Sequence, residues 1–115
     1  MDAVTRLAAG KPNYTVKASE LVIAGPGVQA RLFTLAPKQG IPWHYHSEIT
    51  DHYFVLRGKL TIQTQNPDRE STIETGNCHL LAPGIAHLVE NRDLADCQFL
   101  LLQGVGKYDW IKFEG

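Results

Sequence analysis

The sequence predicts an all-β domain, a sandwich or a barrel. Three observations lead there. Short runs rich in β-branched and aromatic residues recur along the chain, with turn signals every eight to twelve residues. Within several runs apolar and polar residues alternate with a period of two. Almost no stretch carries the helical period. The chain has 115 residues, of which 43% are hydrophobic and 20% charged. That length suits one domain and is enough for an apolar core without covalent staples.

Residues 1–20 are weakly patterned, with Leu7, Ala8 and Ala9 ahead of Gly10 and Pro12. They read as an N-terminal arm, swapped or packed onto a dimer partner. Residues 21–115 read as the barrel. Residues 21–24 form a first short strand, and Gly25-Pro26-Gly27 a turn. Residues 28–36 follow, with Val28, Ala30, Leu32 and Thr34 on one face and Gln29, Arg31, Phe33 and Leu35 on the other. Pro37 to Gly40 break that strand. Further strands are expected at 41–46, 51–57, 59–65, 71–74, 78–82, 86–90 and 97–103, and a last one at 108–113. Asn66-Pro67-Asp68 reads as a hairpin tip.

Net charge is −1, with acidic and basic residues interspersed. No basic stripe argues for nucleic acid and no polybasic cluster for a membrane surface. No apolar run approaches the ~18 residues of a membrane span, and the first residues lack a signal-peptide core. A cytoplasmic protein is the expectation. Cys78 and Cys97 both lie in apolar runs and read as buried free thiols.

The chemistry gathers in residues 40–58, GIPWHYHSEITDHYFVLRG. His44 and His46 are two apart, so on a strand both imidazoles project from one face, with Tyr45 turned away between them. Such a pair is either a solvent-facing structural feature or two ligands of one metal. Ser47 to Thr50 are short enough for a hairpin, which would return Asp51 to the histidines. Asp51, Tyr53 and Val55 share a face, while His52 turns to the opposite one as a surface or interface residue. A second stretch runs over 76–91, where His87 follows a Pro83-Gly84 turn.

These two stretches resemble the paired signature motifs of the cupin superfamily. The first reads His44-x-His46-x4-Asp51-x6-Gly58, and the second Gly76-x5-Ala82-x-Gly84-x2-His87-x3-Asn91. Three positions depart from the family pattern. Lys38 stands where the first glycine is expected, Asp51 replaces a glutamate, and Ala82 replaces a proline. The resemblance implies an RmlC-like jelly roll, a single-domain double-stranded β-helix, with a metal site inside the barrel. It implies His44, His46, His87 and Asp51 as ligands. Imidazole and carboxylate together suit iron, manganese, nickel, zinc or copper. Glu48 is the alternative carboxylate, since it has the parity of His44 and His46 if the strand runs through it.

Tyr53, Val55, His79 and Phe99 are pocket candidates, with barrel core as the plainer reading of most of them. His79 lies outside the motif positions and reads as a hydrogen-bonded core or pocket histidine. Trp43, Tyr45 and Phe54 should face outward, and a covered outer face suggests a homodimer. Two functional classes follow from the resemblance. One is a metalloenzyme acting on a small organic substrate, of dioxygenase, isomerase or cyclase type. The other is a non-catalytic module that binds a small molecule or sugar. Positions on the ion left open by the protein favour the enzyme.

Overall fold

The computed structural model describes residues 14–114, so most of the expected N-terminal arm lies outside the described residues. Ten strands follow one another: β1 (Ala18–Gly25), β2 (Val28–Leu35), β3 (Gly40–Tyr45), β4 (Thr50–Arg57), β5 (Lys59–Gln65), β6 (Arg69–Glu74), β7 (Cys78–Leu81), β8 (Ala86–Glu90), β9 (Cys97–Gly104) and β10 (Ile111–Lys112). They form two five-stranded sheets, ordered β1-β2-β9-β4-β7 and β10-β3-β8-β5-β6, with every pairing antiparallel. No helix occurs among the described residues. The chain is therefore all-β, as its pattern predicts.

Only two connections stay within a sheet. β1–β2 turns at Gly25-Pro26-Gly27, and β5–β6 turns at Asn66-Pro67-Asp68. The other connections pass from one sheet to the other, which is the double-stranded β-helix. The expected hairpin over 47–50 is one of these crossovers. β3 and β4 do not pair; they lie in opposite sheets, with Ile49 buried in the link. A four-residue connection is long enough for either geometry, and burial of Ile49 draws the chain across the interior. Asp51 still meets the histidines, but from the facing sheet.

Period-two alternation puts one face of each strand into the space between the sheets. β9 reads Cys97, Phe99, Leu101 and Gln103 inward, and β4 reads Asp51, Tyr53 and Val55 inward. Facing them are Ile41, Leu60, Ile62, Ile73 and Val89 of the second sheet. Phe33 and Phe99 stack at 5.3 Å, with Tyr53 a further 5.7 Å from Phe99. Val55 and Phe99 belong to this packed core. Tyr14 and Val16, from the end of the expected arm, pack against the same core.

β3 breaks the alternation. Its pairing with β8 shifts register between Ile41 and His44, so that both are buried although three residues apart. This bulge lets one strand contribute first to the core and then to the polar site. Ahead of it, Lys38 has φ of 72°, the left-handed region that favours glycine. Lys38 thus adopts a backbone conformation that the glycine expected at its position would take freely. Gly40 is required for a different reason: a Cβ there would lie 2.7 Å from the Val89 carbonyl oxygen.

Two expectations need correction. Cys97 is buried, but Cys78 is exposed on β7, which pairs on one side only; both thiols are free. The last strand is not 108–113 but Ile111–Lys112 alone. Residues 108–110 are drawn inward over the histidines instead.

Candidate metal centre

The site lies between the sheets. β3 and β8 place His44 and His87 directly opposite each other. His46 follows just after β3, and its carbonyl accepts a 2.8 Å hydrogen bond from the Gly84 amide. That bond ties the β3–β4 link to the Pro83-Gly84 turn. One ring nitrogen from each histidine lies within 4.8 Å of those of the other two. His44 and His46 are each 3% exposed, and His87 and Asp51 1%. The three histidines are therefore positioned to bind a metal.

The second ring nitrogen of each histidine fixes its tautomer. Nδ1 of His44 donates to the Pro42 carbonyl at 2.7 Å, Nδ1 of His87 to the Ile85 carbonyl at 2.8 Å, and Nδ1 of His46 to the Asp109 carbonyl. A carbonyl only accepts, so each Nδ1 carries the proton and each Nε2 of a neutral ring presents a lone pair. The Nε2 atoms of His46 and His87 are buried and make no hydrogen bond. Each nevertheless lies beside a carboxylate oxygen, Asp51 Oδ2, at 3.4 and 3.2 Å. Lone pairs facing a carboxylate in a buried space require a cation between them. A proton can serve, and a metal ion fits the donor set better because it satisfies all the lone pairs together.

The electrostatics hold His44 neutral and favour charge on His46. Burial, reinforced by the neighbouring His87, lowers the His44 pKa to about 3, so the ring is held neutral as ligation requires. Burial opposes charge on His46, but the Asp51 carboxylate outweighs it and raises the His46 pKa. Burial likewise opposes charge on Asp51, and the adjacent His46 and His87 rings prevail, holding its carboxyl below the usual range. Asp51 is further held by Tyr53, whose hydroxyl donates to Oδ2 at 3.0 Å, and by Gln103, whose Nε2 donates to Oδ1 at 2.9 Å.

The other expected residues are placed as follows. Glu48 points away from the histidines, its Oε1 accepting from the Lys107 amide at 3.2 Å. His52 is half-buried on the outward face of β4, and His79 is half-buried directly opposite Tyr53 in the β4–β7 pairing. Trp43 is half-buried, its ring 6.1 Å from that of Phe113, so part of the outer aromatic face is covered by the chain itself.

Several site residues were not anticipated. Trp110 stacks on His44 at 4.6 Å and 13°, and Tyr108 lies 5.4 Å from His46. Asp109 receives His46 on its backbone, while its side chain accepts from the amide and hydroxyl of Ser47. The alternation of Tyr108 and Trp110 signalled an aromatic face, but not which element it covers. Gln103 stood in an apolar strand as its one inward polar residue, a signal that a buried partner awaited it.

A model of the cupin domain matches residues 31–103, well over half of the chain. The chain belongs to the cupin family. Solved structures agree on the fold. One is a Klebsiella pneumoniae protein described as an uncharacterized conserved protein with a double-stranded β-helix domain. The likeness has a TM-score of 0.77 at 17% identity, covering 100% of this chain and 92% of that one. Another is a cupin superfamily protein of Desulfitobacterium hafniense, with a TM-score of 0.69 at 16% identity and 77% of each chain covered. A third is an oxalate oxidase, with a TM-score of 0.68 at 17% identity; 75% of this cupin is covered, and it spans only 46% of the oxidase chain. No curated protein matches the sequence.

Proposed function

We propose that this cupin is a metalloenzyme that binds one divalent transition metal through His44, His46, His87 and Asp51 and acts on a small organic substrate. The observation that carries the reading is the pair of buried Nε2 atoms, on His46 and His87, that share Asp51 Oδ2 with no hydrogen bond between them. Ligands about 2.1 Å from one ion are about 3.0 Å apart at right angles and about 3.4 Å apart at the tetrahedral angle. The two separations from Asp51 Oδ2, 3.2 and 3.4 Å, fall in that window. Asp51 thus has the reach of a fourth ligand despite being one methylene shorter than the family's glutamate.

A metal held there would act as a Lewis acid toward an oxygen of the substrate. The protein's own groups do the rest. Three backbone carbonyls hold the imidazoles in the ligating tautomer. Burial raises the Tyr53 pKa well above its usual value, so its phenol stays protonated and donates to Asp51. Tyr108 and Trp110 shield the histidines from water. One solved structure of similar fold is an oxidase of a small dicarboxylate, which supports a small polar substrate for the fold rather than that particular one.

The test is metal content after reconstitution and desalting. Asp51→Ala should lose most of its metal while remaining folded, and Glu48→Ala should load like the wild type. Full loading of Asp51→Ala, with loss in Glu48→Ala, refutes the ligand set. Oxygen-uptake and turnover screens of the loaded wild type against small hydroxy, keto and carboxylic acids then address catalysis. Tight binding of an unaltered compound without turnover would make the protein a binding module instead.

A further inference from the structure

The three histidines are oriented by backbone carbonyls, but Asp51 is not. Its terminal torsion is soft, so the direction of its carboxylate is set by neighbouring side chains. Tyr53 holds Oδ2 and Gln103 holds Oδ1. Gln103 sits directly opposite Asp51 across the β4–β9 pairing, and Gln29 directly opposite Gln103 across β2–β9. The three form one row across three strands.

Chemistry fixes the direction of every bond in this row. An ionised carboxylate only accepts, so Gln103 must turn its NH2 group to Asp51. Its Oε1 then faces Gln29, which donates its own NH2 at 2.8 Å. Gln103 is only 6% exposed. At the outer end, Gln29 and Gln103 line a cleft shared with Gly25, Gly106, Lys107 and Tyr108. The row therefore runs from an open cleft to the carboxylate beside the histidines.

We propose that Gln103, backed by Gln29, is a positioning residue for the metal site: it fixes Oδ1 so that Asp51 presents Oδ2 to His46 and His87. The proposal rests on the reading of Asp51 as a ligand. The row explains how an aspartate serves where the family carries a glutamate. A shorter side chain tolerates less error in direction, and the amide removes that freedom.

Cobalt(II) provides the probe. Its affinity is read by competition with a chromophoric chelator, and its coordination by the visible spectrum of the loaded protein. Gln103→Leu should weaken cobalt binding about 10- to 100-fold, the usual cost of losing an outer partner of a metal ligand. It should also alter the visible bands. Gln29→Leu should shift both in the same direction by less. The Gln29→Leu/Gln103→Leu variant leaves no stranded amide, so it serves if the single variant folds poorly.

A cycle with Asp51→Ala isolates the route. If Gln103 acts through Asp51, Gln103→Leu changes nothing further once Asp51 is alanine. A purely structural Gln103 would lower the melting temperature and leave cobalt affinity and spectrum at wild-type values, which overturns the proposal. Equal losses in both backgrounds overturn it as well. A wild type that binds no cobalt removes the metal-site reading itself, and this inference with it.

Discussion

Asn91 follows β8 and closes the second signature motif, and replacing it with alanine should cost stability rather than metal. Its side chain is fully buried. Nδ2 donates to the Leu35 carbonyl at 3.0 Å and to the Ala95 carbonyl at 2.8 Å, while Oδ1 accepts from the Asp93 amide at 2.9 Å. These bonds join the end of β2 to the turn that leads into β9. Each neutral hydrogen bond contributes about 1 kcal/mol net, and a buried carbonyl left without a partner costs about 1–3 kcal/mol more. Leu35 is fully buried, so its carbonyl has little access to water once Asn91 is gone. The expected loss for Asn91→Ala is therefore about 4 kcal/mol. At roughly 4 °C per kcal/mol for a domain of this size, the melting temperature should fall by about 15 °C. Urea unfolding followed by tryptophan fluorescence measures the energy directly. The folded variant should bind metal like the wild type, because Asn91 touches none of the four site residues in the hydrogen-bond pattern. A loss under about 1 kcal/mol would refute the clamp. Wild-type stability with lost metal affinity would refute the division of roles.

Three further outcomes are expected. A thiol reagent should modify one cysteine in the native protein and two after unfolding, since Cys78 is exposed and burial pushes the Cys97 thiol up to about 11; rapid labelling of both in the native state would contradict the packing. Copper(II) loading should quench tryptophan emission chiefly through Trp110, which stacks on His44, so Trp110→Phe should abolish most of the change, and equal quenching in the variant would place the ion elsewhere. Light scattering should give the mass of a homodimer, because the outward Val22 and Ile23 on edge strand β1 are 58% and 67% exposed in the single chain; a monomer at high concentration would count against it.

Much of the centre was legible because it depends on parity. The inward trio Asp51, Tyr53 and Val55 follows from alternation along one strand. The same rule fails at Ile41, where the bulge reverses the face, yet His44 and His46 lie beyond it and keep their mutual parity. Alternation names a face but not a partner, so the link at 47–50 read as a hairpin when it is a crossover. Gln103, Tyr108, Asp109 and Trp110 escaped for a related reason. They reach Asp51, His46 and His44 through closure of the chain over some fifty to seventy residues, as with His46 and Asp109 at a separation of 63. No local period records such a contact. The family motifs supplied His87, and the exchange of glycine for Lys38 is absorbed by a lysine in a left-handed conformation.

His44 and His87 are each oriented by a carbonyl two residues earlier in the chain, whereas His46 depends on Asp109. This difference imposes an order on biosynthesis. During synthesis the chain emerges from its N-terminus. Two of the proposed ligands, His44 and His87, can take their tautomers as soon as their own strands form. The third must wait until residue 109 has cleared the ribosome and the segment carrying Tyr108 and Trp110 has docked. The proposed metal site is therefore complete only in a chain that has emerged past Asp109, and an ion captured earlier would be held by an incomplete set of donors.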